Sequence, residues 1–127
     1  MHAHAVVFKN PQQFALEQLA LPEVGEEDIQ IAVEYSGIST GTERLLWDGS
    51  MPPFPGMGYP LVPGYETVGR VTQVGSKAKL ELGQRVFVPG ASCFEGVRSL
   101  FGASASALVT NHTRVMPVSE TLGSQAV

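Results

Sequence analysis

The sequence predicts a mainly-β domain, a partly open barrel of short strands with a few short helical turns. Three observations carry this. Ile29, Ile31, Val33 and Tyr35 alternate with Gln30, Ala32 and Glu34, the period of two expected of a half-buried strand. Fourteen glycines and nine prolines in 127 residues break the chain into short segments separated by turns. Helical patterning is scarce, and many short strands with Gly-rich turns favour a barrel that removes exposed edges.

Taken in order, residues 6–8 and 14–19 are the first strands, on either side of an Asn10-Pro11 turn. Residues 29–35 follow as the clearest strand. Thr42 is placed to cap a helical turn running through Glu43, Arg44, Leu45, Leu46 and Trp47, which Gly49 stops. Residues 51–60 hold four prolines among Phe54, Met57 and Tyr59. Proline cannot donate to a ladder, so this is an ordered loop that displays apolar side chains. Further strands are expected at 67–74, 85–88, 106–110 and 114–116, punctuated by Gly75-Ser76, Gly83 and Pro89-Gly90. Ser119 is a good helix cap, and the segment from Glu120 to Val127 begins a helix that stops on an apolar step. We therefore expect a domain over 1–118, with 119–127 starting the connection to a nucleotide-binding domain beyond this chain.

Composition limits the partners. Eight basic and twelve acidic residues give a formal charge of −4, with no basic stripe to serve as an electrostatic footprint for nucleic acid. No run of about 18 apolar residues suggests a membrane span, and no secretory signal pattern opens the chain. The expected location is the cytoplasm. One cysteine, Cys93, excludes an internal disulfide and a four-cysteine metal lobe. With no histidine near it in sequence, it reads as a buried apolar thiol rather than a nucleophile. His2 and His4 share one face of the first strand but are too few for a metal site, and His112 falls in a surface turn.

Six segments in order resemble the medium-chain dehydrogenase/reductase superfamily: Gly37-Ile38-Ser39, Thr42-Glu43, Pro63-Gly64-Tyr65-Glu66, Val68-Gly69-Arg70-Val71, Val74-Gly75 and Gly83-Gln84-Arg85-Val86. The resemblance spans nearly the whole chain and implies a GroES-like, substrate-side domain. The run Ser36-Gly37-Ile38-Ser39-Thr40-Gly41-Thr42-Glu43-Arg44, with the segments from Gly58 to Glu66, Val88 to Ala91 and Phe101 to Ser104, is similar to one branch of that superfamily. That branch oxidises the hydroxyethyl group of a chlorin-type pigment precursor to acetyl, using NAD.

Zinc-dependent members of the superfamily place a cysteine at the Ser39 position, a histidine at the Tyr65 position and an acid at or near Glu66. Catalytic zinc needs three ligands of thiolate, imidazole or carboxylate type. The hydroxyls of Ser39 and Tyr65 are poor ligands, so the resemblance implies a member without zinc. The proton released as the alcohol is oxidised then needs a protein acceptor. Tyr65 is the first candidate, with Ser39 or Thr42 relaying to Glu43, Glu66 or water. Each has a structural alternative: Tyr65 as a half-buried barrel residue, Glu66 as a partner of Arg44, Arg70 or Arg85, and Thr42 as a cap.

A flat macrocycle calls for a wide apolar wall, for which Phe54, Met57 and Tyr59 are candidates, extended by Trp47 and Phe94 and by Thr40 in the motif run. Arg44 and Arg98 are candidate partners for a propionate. Any one of the apolar side chains equally suits packing of the loop onto the barrel. No Gly-x-Gly-x-x-Gly occurs in the chain, so NAD would be held mainly by a second domain. Two other readings stay open: a zinc-less quinone or enoyl reductase half-domain, and a stand-alone GroES-like binding barrel.

Overall fold

The computed structural model describes residues 2–37, 42–50, 58–64, 66–91, 93–94 and 104–118, with backbone alone at Thr42 and Glu43. Two antiparallel sheets make the fold. β1 (His2–Asn10) and β2 (Gln13–Ala20) form a hairpin. β3 (Asp28–Ser36), β4 (Thr67–Val74), β5 (Arg85–Val88), β6 (Ala107–Asn111) and β7 (Met116–Pro117) form a five-stranded sheet in the order β6-β3-β4-β5-β7. The partly open, mainly-β expectation holds: single bridges, Ala5 to Ala105 and Phe8 to Leu61, join the hairpin to the rest.

Local chemistry explains the elements. In β1, Ala3, Ala5 and Val7 are buried while His2 and His4 face outward, the alternation of a strand with one face on a core. Pro11 and Gln12 make the hairpin turn, and Gln12 adopts φ +62°. β3 buries Ile29 and Ile31 completely, but its alternation does not run to the end. Register shifts against β4 between Gln30 and Ile31 and between Val33 and Tyr35 rotate the strand, as β-bulges do, and Tyr35 is left 47% exposed. Val71, Val86, Val88 and Leu108 complete the centre of the core.

The helical turn forms as expected, α1 (Thr42–Asp48). Gly49 at φ +80° ends it, and the Ser50 amide donates to the Leu45 carbonyl (3.0 Å), the bond of a Schellman C-cap. No helix among the described residues is long and apolar enough to cross a membrane.

One expected strand, 114–116, starts later than expected. Residues 112–114 form a single 3-10 turn, and pairing resumes only at Met116. The Asn111 side chain accepts from the amide and hydroxyl of Thr113 (2.9 and 2.7 Å). This local bond competes with a ladder, which the strand propensities around Val115 do not register.

Candidate functional site

The site is built where β3 ends and β4 begins. Ser36 pairs with Thr67 across the ladder, and one step further the Gly37 amide donates to the Glu66 carbonyl (2.7 Å). The Glu66 carboxylate lies over Gly37: a Cβ added at 37 would stand 2.9 Å from Glu66 Oε2. Glycine is what lets the acid fold back against this backbone. Below it sits a cluster of hydroxyls. Thr67 Oγ1 donates to Ser36 Oγ (3.3 Å), and Ser36 Oγ lies 3.4 Å from Ser104 Oγ. Thr67 is fully buried. The Ser104 amide donates to the Pro63 carbonyl (2.9 Å), so three separate segments meet at this point.

Of the residues named from the sequence, Ser39, Thr40, Phe54, Met57, Tyr65 and Arg98 lie outside the described residues. Thr42 and Glu43 open α1. Glu66 is exposed beside Gly37, and Arg44 is exposed on α1. The described apolar candidates, Trp47, Tyr59 and Phe94, do not share one wall. Trp47 packs edge-on against Phe8 and Phe14 of the hairpin, with ring centroids 5.7 and 5.5 Å away. Phe94, 6% exposed, belongs to the core. The Tyr59 hydroxyl donates to the Leu46 carbonyl of α1, and burial, aided by the charge of Asp48, pushes its ionisation above the usual tyrosine range.

Sequence reasoning missed Ser36, Thr67 and Ser104 as a group, and Glu34 as a hub. Glu34 approaches Arg70 Nε and Arg85 Nε, each at 3.5 Å. The Arg85 side chain is only 11% exposed, so the carboxylate gives a nearly buried guanidinium an opposite charge. The available signal was the polar register of β3, where an acid recurs among half-buried positions. Cys93 is half-buried, and burial pushes its thiol above the usual range. It lines an open cavity of about 380 Å³ with Asp28, Val109, Thr110, Asn111 and Arg114, none of them among the residues proposed for catalysis. Among the described residues, no group of three or more His, Cys, Asp or Glu is arranged to hold a metal ion.

The sequence profile of the alcohol dehydrogenase GroES-like domain matches residues 25–120. The chain belongs to that family, within the medium-chain dehydrogenase/reductase superfamily. It is 45% identical over 124 residues to 2-desacetyl-2-hydroxyethyl bacteriochlorophyllide A dehydrogenase of Rhodobacter capsulatus, an alignment covering 97% of this chain and 40% of that protein. The protein of the same name from Cereibacter sphaeroides is 44% identical over 127 residues, covering 96% of this chain and 40% of its own length. The chain thus spans about two-fifths of the length of these relatives. In architecture it resembles a cinnamyl alcohol dehydrogenase from Sorghum bicolor, with a TM-score of 0.79 at 21% identity over 97% of this chain and 42% of that one. At that identity the likeness establishes the fold and nothing finer.

Proposed function

We propose that this chain is the substrate-side half of a zinc-independent, NAD-dependent alcohol dehydrogenase that oxidises the hydroxyethyl group of a bacteriochlorophyllide precursor to acetyl. The observation that carries this reading is 45% identity across almost the entire chain to an enzyme named for that substrate. The domain division at 118 and the cytoplasmic location belong to the same proposal.

The donor chemistry supports a reaction without zinc. The family's metal positions are held here by Ser39 and Tyr65, whose neutral hydroxyls do not suit a zinc site. The described acid, Glu66, has its carboxylate folded against Gly37. No step is therefore routed through a metal. A nicotinamide, when bound, would supply the hydride acceptor for the carbinol carbon. No residue set in this chain matches a pyrophosphate cradle, since the glycine fingerprint is absent, and the cofactor falls to a second domain.

What remains for this chain is the proton. As the C–H bond breaks and C=O forms, the hydroxyl proton must leave for a base. A positioned side chain contributes about a hundred- to ten-thousand-fold by accepting it. Tyrosine, with an ordinary pKa near 10, is a weak base by itself. In our reading Tyr65 acts with Ser39, Thr42, Glu43 and Glu66, and Glu66 delivers the proton to solvent because its carboxylate is exposed. Arg44, exposed on α1, is the proposed partner of a pigment carboxylate, and the proposed apolar wall is Thr40, Phe54, Met57 and Tyr59, since Trp47 packs on the hairpin and Phe94 in the core.

The test is to supply the full-length protein with NAD and the hydroxyethyl pigment. Conversion to the acetyl form extends conjugation and shifts the visible absorption. An unchanged spectrum together with turnover of quinones would overturn the proposal in favour of a reductase.

A further inference from the structure

The hydroxyl cluster beneath Glu66 has no part in the reaction as written so far, yet it joins the segments that frame the site. Thr67 follows Glu66 directly and is wholly buried. Its Oγ1 donates to Ser36 Oγ (3.3 Å), which commits the Ser36 hydroxyl proton elsewhere, and Ser104 Oγ at 3.4 Å is in place to receive it. Ser36 directly precedes Gly37, the residue that donates to the Glu66 carbonyl and makes room for its carboxylate. Ser104 in turn donates its amide to Pro63 and accepts at its carbonyl from Val6 of β1 (3.0 Å).

Two functions suit a line of hydroxyls: a path for protons, or a fixture that sets distances. The separations decide. Proton transfer along hydroxyls favours O···O distances of about 2.7–2.8 Å, whereas both contacts here are longer than 3.2 Å. A fixture tolerates such lengths because its effect lies in the number of segments joined. Here those are the end of β3, the start of β4 and the strand-free segment at 104.

We propose that Thr67, Ser36 and Ser104 are positioning residues that hold the Glu66–Gly37 junction in register for proton transfer. This rests on the reading of the chain as a dehydrogenase half-domain. Without Thr67 Oγ1 the junction loses its buried anchor, and Glu66 samples positions away from Gly37. Misplacement on the scale of 1 Å costs up to about a hundredfold in rate.

The experiment uses Thr67→Val, which keeps the shape and removes the hydroxyl, Thr67→Ser, which restores it, and Ser104→Ala as a second break. Amide hydrogen exchange is measured in the full-length protein at Gly37 and at core positions of β4 such as Val71. For Thr67→Val we expect Gly37 to exchange roughly tenfold faster with Val71 unchanged, a smaller effect of the same kind for Ser104→Ala, and recovery in Thr67→Ser. On the hydroxyethyl pigment, kcat should fall about tenfold with KM within about twofold. Gly37 exchange that is unchanged, or that rises in step with Val71, overturns the fixture. Should Thr67→Val fail to fold, the Ser104→Ala comparison makes the same decision. A wild-type protein inert on the pigment refutes the proposed substrate, and the exchange data still judge the fixture.

Discussion

Replacing Gly37 by alanine separates the cost of folding from the cost to the site. The added Cβ would stand 2.9 Å from Glu66 Oε2, 3.3 Å from Glu66 Cβ and 3.6 Å from the Glu66 carbonyl oxygen. Ordinary van der Waals contact begins near 3.4 Å, so the carboxylate must give way by about 0.5 Å while the backbone need hardly move. Glu66 is exposed and its far end is free to swing. Gly37 carries no positive φ, so alanine meets no backbone strain there, and it lowers the entropy of the unfolded chain. These contributions nearly cancel, and urea unfolding should report a change within about 1 kcal/mol at constant m. Activity should respond quite differently. If Glu66 accepts or relays the proton from its place over Gly37, displacing it should lower kcat of the full-length enzyme by about tenfold or more, leaving KM for the pigment nearly untouched. A loss of stability above about 2 kcal/mol would mean the backbone, not the carboxylate, yields. Unchanged kcat would remove Glu66 from proton transfer.

Gly69→Ala makes the contrast: its Cβ would lie 2.4 Å from the Ala32 carbonyl oxygen and 2.6 Å from Ile31 Cγ2. Because a backbone oxygen of β3 cannot step aside, urea unfolding should show about 3 kcal/mol or more lost, and a loss under about 1 kcal/mol would contradict this contact. The carboxyl of Asp48 is held below the usual range by hydrogen bonds from Ser50. Its contribution to the end of α1 is thus complete above the ordinary aspartate pKa of about 4 and fades as pH falls through the lowered value. Asp48→Asn should flatten that part of the acid unfolding curve, and an unaltered curve would count against it. Cys93, its thiol pushed up by burial, should react with iodoacetamide more slowly than a free cysteine derivative at pH 8; equal rates would refute its shielding.

The positions of most strands, α1 and its stop at Gly49 were legible because each depends on neighbours in sequence: alternation, and a glycine in left-handed backbone. The family was legible from short motifs in order. What stayed hidden depends on distant residues. Ser36 and Thr67 are 31 positions apart and Ser36 and Ser104 are 68 apart, so no local pattern marks them as one group. Tyr35 reads as buried by period, and only the slip against β4 turns it outward. Phe94 and Trp47 read equally well as wall or as packing, since hydrophobicity alone does not say what a side chain faces. The structure puts one in the core and the other on the hairpin.

That hairpin has a consequence for the site. β1 pairs with β2 along one edge, but its other edge is divided between two clients. Phe8 exchanges backbone bonds with Leu61 (2.8 and 2.9 Å), while Val6 and His4 bind Ser104 and Ser106. Leu61 lies five residues before Glu66, and Ser104 belongs to the hydroxyl cluster beside it. A single strand therefore acts as a clasp across both flanks. A lesion at Val7 or Ala5, with no substrate in reach, would loosen the two flanks together and register first as a slower enzyme, before any loss of the five-stranded sheet.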